Sequence, residues 1–399
     1  MTKLEPPPAL PTDSAQRIHS VDVLRGLALL GMFVVHFHVR SSEPGGLDEA
    51  IRTLIWRMVE SKSHGIFAVL FGAGFALQLR RAEERGGAFV PSYLRRLAVL
   101  ALFGFAAHAF FGFNVLLGYA TWGVVLLVIR TWSTRALLAT AAVCAASVSL
   151  YHLATTWHVQ LSAGPDAVLA AEQARRVVAA EVMRALHGAE AQDSYPVLLA
   201  ARLRHMAWFY TQPFSFMPGA TLALFIAGLL LVRHRVFEQA WAHRKLLTGL
   251  SAFGVISWLG DNWLLPLWGA STSLGLVRDQ WLTFTYLGVA LLLFVHRPGL
   301  VLRLRPVASA GRMALTNYLI QIAALDVLFS GYAVDLGQLR PIVALAAALT
   351  CFAVEAAFST VWLTHFKFGP AEWLWRALSF GRMPPMRRAA APATPAAQV

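Results

Sequence analysis

The chain has 399 residues, of which 57% are hydrophobic and only 14% charged, against about 25% charged in an ordinary soluble domain. That balance excludes a soluble globular protein and points to a polytopic helical membrane protein. The net charge of +13 does not signal a nucleic-acid partner, because Lys and Arg gather in short segments between apolar runs, as membrane topology requires.

Residues 1–16 are polar and Pro-rich and read as a disordered tail. The first apolar run, "VDVLRGLALLGMFVVHFHV" at 21–39, is followed by no small-x-small cleavage pattern, so it is expected to be retained. Further runs lie near 64–80, 94–112, 114–130, 136–155, 214–232, 246–263, 280–296, 308–330 and 341–365. Each approaches the roughly 20 residues that cross a bilayer as a helix. With the N-terminus inside, the basic segments "LRRAEERGGAFVPSYLRR", "VRHRVFEQAWAHRK" and "HRPGLVLRLRP" all fall on the cytoplasmic side.

The expected fold is therefore an all-α integral membrane protein, a bundle of about ten transmembrane helices with both termini cytoplasmic. An N-terminal bundle of five spans over 17–155 carries an amphipathic outer helix at 47–60, where Leu47, Ile51, Leu54, Ile55 and Met58 repeat at helical spacing. An extracytoplasmic helical segment follows over 156–213; its Ala-rich part at 165–187 reads equally as a lid or a solvated spacer. A second bundle of five spans covers 214–366. The stretch "GPAEWLWRALSFG" gives an interfacial helix within 367–381, since Trp favours the headgroup zone, and 382–399 is a second tail.

Ionisable groups inside apolar runs are costly and usually face a bundle interior or an aqueous cavity. In the first run Asp22, Arg25, Leu29, Met32 and His36 follow steps of three and four and form one stripe. Asp22 and Arg25 read either as an interfacial ion pair or as the start of a polar face lining a cleft. Lys62 and His64 open the second run, with His64 near the level of His36. Arg95 and Arg96 mark the inner end of the third run, and His108 and Asn114 lie towards its outer end. The run near 308–330 holds Arg312, Asn317, Gln321 and Asp326. Helix–helix hydrogen bonding is the plain reading of the amides. Arg312 calls for an anionic partner: a carboxylate such as Glu355, a phosphate or an anionic substrate. Cys144 and Cys351 sit in apolar runs and read as inert thiols, so no disulfide framework or cysteine metal site is expected. No Walker A, HExxH, GxSxG or CxxC motif occurs, which disfavours the usual ATPases, zincins and serine hydrolases.

In order and spacing, "RIHSVDVLRGLALLGMFVV", "SKSHGIFAVLFGAGFAL", "YLRRLAVLALFGFAAH", "GRMALTNYLIQ" and "FKFGPAEWLWRALSFG" resemble the YeiB-type bacterial membrane proteins. The resemblance covers nearly the whole chain apart from its termini and the 156–213 segment, and it implies the bacterial cytoplasmic (inner) membrane, multi-pass. The "DVLRG" segment is also similar to that of transmembrane acyltransferases, including the heparan-α-glucosaminide N-acetyltransferase group. This implies passage of an acyl group from a cytoplasmic donor such as acyl-CoA to an acceptor at or across the membrane. The sequence departs from these families at His36, where Asn is common, at Asn114, where an acidic residue is common, and in lacking a His-x-x-Trp element before the second run.

On this reading His64, His108 and His36 are candidate bases, since imidazole titrates near neutral pH, and Asp22 belongs to the core motif. Arg25, Lys62, Arg95, Arg96, Arg312, Asn317 and Gln321, with Glu372 and Arg376 of "GPAEWLWR", are the candidate substrate-binding groups. No metal and no permanently bound cofactor is expected, and acyl-CoA would enter as co-substrate. The partners are membrane lipids and a small-molecule or lipid/glycan acceptor, and the Gly-rich spans permit a homodimer. Two other functions stay open: a transporter or flippase for an amphiphilic or anionic solute, and a non-catalytic membrane assembly subunit.

Overall fold

A computed structural model describes residues 14–41, 45–84, 89–112, 115–212, 219–264 and 280–388. Residues 1–13 of the expected N-terminal tail, residues 389–399 of the expected C-terminal tail, and Asn114 lie outside the described residues.

The described chain is helical throughout. Its first eight helices are α1 (Ser14–His38), α2 (Leu47–Met58), α3 (Lys62–Glu84), α4 (Phe89–Phe111), α5 (Leu116–Ile129), α6 (Thr134–Ala163), α7 (Pro165–Glu190) and α8 (Tyr195–Thr211). They are followed by α9 (Gly219–Arg233), α10 (Arg244–Leu259, continued by a π-turn over Gly260–Leu264), α11 (Trp281–His296) and α12 (Pro298–Arg303). The last four are α13 (Arg305–Arg312), α14 (Ala314–Phe329), α15 (Pro341–His365) and α16 (Pro370–Phe380). The apolar runs of the sequence fall on these helices, that at 308–330 being divided between α13 and α14. Among the described residues five helical stretches are long and apolar enough to cross a bilayer: His19–His38, Leu47–Glu84, Phe89–Phe111, Thr134–Ala163 and Pro341–His365. Four apolar helices are shorter: Leu116–Ile129, Gly219–Arg233, Trp281–His296 and Ala314–Phe329. Together they make an all-α membrane protein.

Helix α1 is the hub. It packs against α3, α13, α14 and α15, and Val23, Leu24, Leu29 and Phe37 are sealed inside. A helix buried on all sides has no lipid face, so its polar stripe looks into protein. At the other extreme α6 turns Leu138, Val143 and Leu150 outward, as a lipid-facing helix does. Its 30 residues span about 45 Å at 1.5 Å each, well beyond a hydrocarbon core of about 30 Å, so it carries the chain past the bundle into α7 and α8.

Close helix crossings rest on glycine. A Cβ on Gly311 of α13 would collide with the carbonyl of Asp22 and the amide of Gly26, and one on Gly26 with the carbonyl of Val307. In the same way Gly72 of α3 abuts the backbone at Phe225, and Gly228 of α9 abuts that at Val69. Small residues allow this backbone approach, which stands in for a hydrophobic drive between helices in lipid.

The run at 308–330, expected as one span, is interrupted. Met313 (φ −104°, ψ 31°) separates α13 from α14. The exposed amides of the new helix start are satisfied from far away. Glu372 Oε1 accepts from the N–H groups of Leu315 (2.7 Å) and Thr316 (3.1 Å), and Oε2 accepts from the Thr316 hydroxyl (2.5 Å). The four orphan donors of a helix N-terminus need such a partner. Asp48 of α2 does the same for α15: it accepts from Ile342 N–H (3.2 Å) and from Arg340 Nε (2.8 Å). The stretch expected as an amphipathic helix at 47–60 forms α2 over Leu47–Met58, pinned at its start by this carboxylate; of its expected apolar stripe Ile55 is buried, while Leu47 and Leu54 are exposed.

Candidate functional site

The bundle encloses a cavity of about 810 Å³, within the size range of small-molecule sites. One end is basic. Arg25, Arg80, Arg96, Arg235, Arg312 and Arg376 line it, against the carboxylates of Asp22, Glu238 and Glu372. The other end is aromatic, lined by Phe67, Phe71, Tyr119 and Tyr318. Phe71 stacks on Phe225 with ring centroids 4.6 Å apart and meets Tyr119 edge-on at 5.3 Å. Along α3 the lining runs from Ala82 to Phe67, about 23 Å at 1.5 Å per residue.

The stripe on α1 explains the basic end. Arg25 Nη1 donates to Asp22 Oδ1 at 3.0 Å and to the Gly311 carbonyl at 3.5 Å. The second contact exists because Gly311 lets α13 lie directly on α1. The same crossing brings Arg312 within electrostatic reach of Asp22, whose ion pair is made with Arg25. Glu355, the alternative partner expected for Arg312, instead accepts from Gln321 Nε2 at 2.8 Å.

Two cavity arginines are held by aromatic rings. The guanidinium of Arg96 lies 4.3 Å over the Trp375 ring, whose Nε1 donates to the Arg96 carbonyl at 2.9 Å. That of Arg376 lies 4.5 Å over Phe368. Burial pushes the Glu372 carboxyl above its usual range, although its hydrogen bonds pull the other way. Burial likewise draws Arg376 below the usual guanidinium range, opposed by the Glu372 charge.

The histidines stand apart from the cavity wall. His36 and His64 face each other, with ring centroids 6.4 Å apart, as their shared level in the sequence implied. Tyr119, which lines the aromatic end, donates its hydroxyl to the His64 carbonyl at 3.2 Å. The histidine pair therefore lies just past the aromatic end, one turn along α3 from Phe67. His108 is elsewhere: it hydrogen-bonds Tyr210 at 3.1 Å and packs on His205 with centroids 5.9 Å apart.

Of the other sequence candidates, Lys62 is buried at the start of α3, and its carbonyl accepts from Thr283 at 3.4 Å. Arg95 is exposed and is not part of the cavity wall. Asn317 donates to the Ala310 carbonyl (3.1 Å) and to Ser359 (3.0 Å); with Gln321 it joins helices and lies off the cavity. Among the described residues no cluster of His, Cys, Asp and Glu is built to hold a metal ion.

Three features escaped the sequence reading. Tyr93 lines the cavity but reads as an ordinary aromatic at a helix start. His205 and Tyr210 complete the surroundings of His108 from α8. Arg202, also on α8, is 2% exposed and pairs with Asp326 and with the Phe110 carbonyl. Its signal was available: Leu198, Arg202 and Met206, all buried, recur every four residues, which places an arginine on an apolar face.

The C-terminal part of the chain, residues 231–382, matches the family described as "Protein of unknown function (DUF418)". Residues 17–166 match the family described as "Heparan-alpha-glucosaminide N-acetyltransferase, catalytic". Among similar proteins, "Uncharacterized protein YxaH" of Bacillus subtilis (strain 168) is 29% identical over 390 residues, which is 93% of this chain and 96% of that protein. An "Uncharacterized 39.9 kDa protein in amylase 3'region" of Bacillus acidopullulyticus is 27% identical over 93% of this chain and 96% of its own length. "Uncharacterized protein YeiB" of Escherichia coli (strain K12) is 30% identical over 193 residues, 44% of this chain and 47% of that protein. No solved structure matches the chain significantly. With the fold and the "DVLRG" stripe in place, the chain is similar to YeiB-type membrane proteins, and its N-terminal part resembles the catalytic region of heparan-alpha-glucosaminide N-acetyltransferases.

Proposed function

We propose that the protein is a transmembrane acyltransferase that takes an acyl group from a cytoplasmic acyl-CoA and delivers it to an acceptor hydroxyl or amine at or across the inner membrane. The observation that carries this reading is the cavity's polarity: its lining arginines gather at one end, the other is lined by Phe67, Phe71, Tyr119 and Tyr318, and the His36–His64 pair lies just beyond these rings. A CoA thioester has the same order, with phosphates at one end and the reactive acyl group at the other. The bundle is oriented with its Arg-rich end and both termini in the cytoplasm, as the positive-inside rule directs.

In this scheme the arginines bind the phosphates and the aromatic channel excludes water from the thioester. His64 or His36 takes the proton of the acceptor, and the acceptor oxygen or nitrogen bonds to the acyl carbon. The carbon–sulfur bond then breaks, and the CoA thiolate leaves with the proton returned by the imidazole. Asp22 holds Arg25 and, through the α1–α13 crossing, the geometry of the basic end.

The test is incubation of the purified protein with radiolabelled acyl-CoA and a crude lipid or glycan acceptor extract. Saturable binding and acceptor-dependent release of free CoA are expected. Absence of any acyl-CoA binding, together with solute uptake into proteoliposomes, would replace this reading with transport.

A further inference from the structure

Of two arginines at the basic end of the cavity, Arg96 and Arg376, only Arg376 has a carboxylate within electrostatic reach among the described residues, that of Glu372. Arg96 and Arg376 are electrostatic neighbours of like charge, and among the described residues neither forms an ion pair. Glu372 sits four residues before Arg376 on α16, the spacing at which a carboxylate and a guanidinium normally pair. Its oxygens are instead committed to Leu315 and Thr316 of α14. The Nε atoms of both arginines are buried and have no hydrogen-bond partner among the described residues. The same holds for the hydroxyl of Tyr93, a residue 3% exposed. Its ring is locked, stacked on Phe89 at 5.1 Å and edge-on to Phe75 at 4.9 Å.

A buried donor without an acceptor costs free energy, and two adjacent guanidiniums add repulsion. The rings of Trp375 and Phe368 cover one face of each guanidinium and leave its edge of N–H donors for a ligand. That edge matches phosphate oxygens in fork geometry. All three residues line the cavity. We propose that Arg96, Arg376 and Tyr93 form an anion clamp for a phosphate ester at the mouth of the cavity, built between α4 and the C-terminal helix α16. This deepens the acyl-donor reading, on which it rests for the identity of the ester, but the clamp itself follows from the unpaired donors. A soluble nucleotide thioester and a phospholipid headgroup both carry the required group.

The experiment titrates the detergent-purified full chain with inorganic diphosphate, with CoA lacking an acyl group, and with phosphatidic acid in nanodiscs. Diphosphate binding that weakens with salt is expected. Arg96→Gln and Arg376→Gln should each weaken it about tenfold or more, the loss of a charge-assisted bond. Arg376→Lys should restore part of the affinity, since it keeps the charge without the fork. Tyr93→Phe should weaken binding at an unchanged melting temperature, which separates ligand contact from folding. Displacement of diphosphate by CoA assigns the clamp to a soluble donor. Displacement by phosphatidic acid but not by CoA keeps the clamp and removes the acyl-CoA reading. Wild-type protein that binds neither diphosphate nor CoA nor phosphatidic acid, or folded Gln variants that bind diphosphate like wild type, would overturn the proposal.

Discussion

Glu372 caps a helix to which it does not belong: its Oε1 lies 2.7 Å from the amide nitrogen of Leu315, 57 residues earlier in the chain. This contact fixes α16, and with it Arg376 and Trp375, against the break between α13 and α14. Glu372→Ala should therefore destabilise the protein by about 1–2 kcal/mol, the usual cost of losing a cap, and should also weaken anion binding by releasing α16. Glu372→Gln keeps an acceptor oxygen and should lose less. Thermal unfolding in detergent, with diphosphate titration, separates the two variants.

The same residue sets a pH dependence. Burial raises the Glu372 carboxyl above its ordinary value of 4.5, so the folded state holds the proton more tightly than the unfolded chain. Its contribution to stability is complete below the ordinary value and is lost as pH rises through the raised one. The melting temperature of wild type should therefore decline across that window relative to Glu372→Gln, which has no titrating group there. Parallel curves for the two proteins would contradict this assignment.

Arg202 and Asp326 anchor α8 to the bundle through a pair in which both side chains are almost fully buried. Ser330 and Tyr332 donate to the same carboxylate at 2.9 and 2.8 Å. Removing one partner leaves an uncompensated charge, and such losses cost about 3–5 kcal/mol. Arg202→Met should lower the unfolding temperature sharply and loosen α8, detectable as faster proteolysis near 195–211. Arg202→Met combined with Asp326→Leu should recover much of the loss. Proteolysis no faster than wild type in the single variant would show that α8 docks by other contacts.

Glycines on α3 and α13 should respond in opposite ways. Gly311→Leu forces α13 off α1, because a side chain there meets the backbone of Asp22 and Gly26; stability and anion binding should fall together. Gly74 has no atom within 4 Å of a built Cβ and lines the cavity. Gly74→Ala should leave the protein as stable or stabilise it by up to about 1 kcal/mol, the helix-propensity difference, while reducing the space for a ligand. Melting temperature and ligand titration on the two variants check both directions.

The helices were legible from their apolar runs because a lipid-facing or buried helix must be apolar along its length. The stripe of Asp22, Arg25 and His36 was legible because helical spacing alone decides which residues share a face. The break at Met313 was not, since its capping group comes from Glu372, far along the chain, and no proline marks the spot. The pairing of Asp326 was missed for a related reason: its partner Arg202 lies 124 residues earlier, outside the apolar runs. Asn317 and Gln321, polar in an apolar run, could be read from sequence either as ligand-binding groups or as helix–helix bonds; the structure puts both in helix–helix bonds. The clamp formed by Arg96 and Arg376 joins residues 280 apart, and only the packing of α16 on α4 brings them together.

In the proposed scheme the histidine pair separates donor binding from transfer. His64→Ala and His36→Ala should each leave acyl-CoA affinity near wild type, because neither residue lines the cavity, while slowing acyl transfer by about a hundredfold or more, the size of general-base contributions. Binding titration beside turnover distinguishes this from a folding defect.

The most direct measurement places the protein in proteoliposomes with its Arg-rich end outward, supplies radiolabelled acyl-CoA on that side, and follows label into an acceptor fraction and free CoA into solution. The expected result is acceptor-dependent CoA release that diphosphate inhibits and Arg376→Gln weakens. Acyl-CoA that neither binds nor turns over, with every acceptor extract supplied, would contradict it.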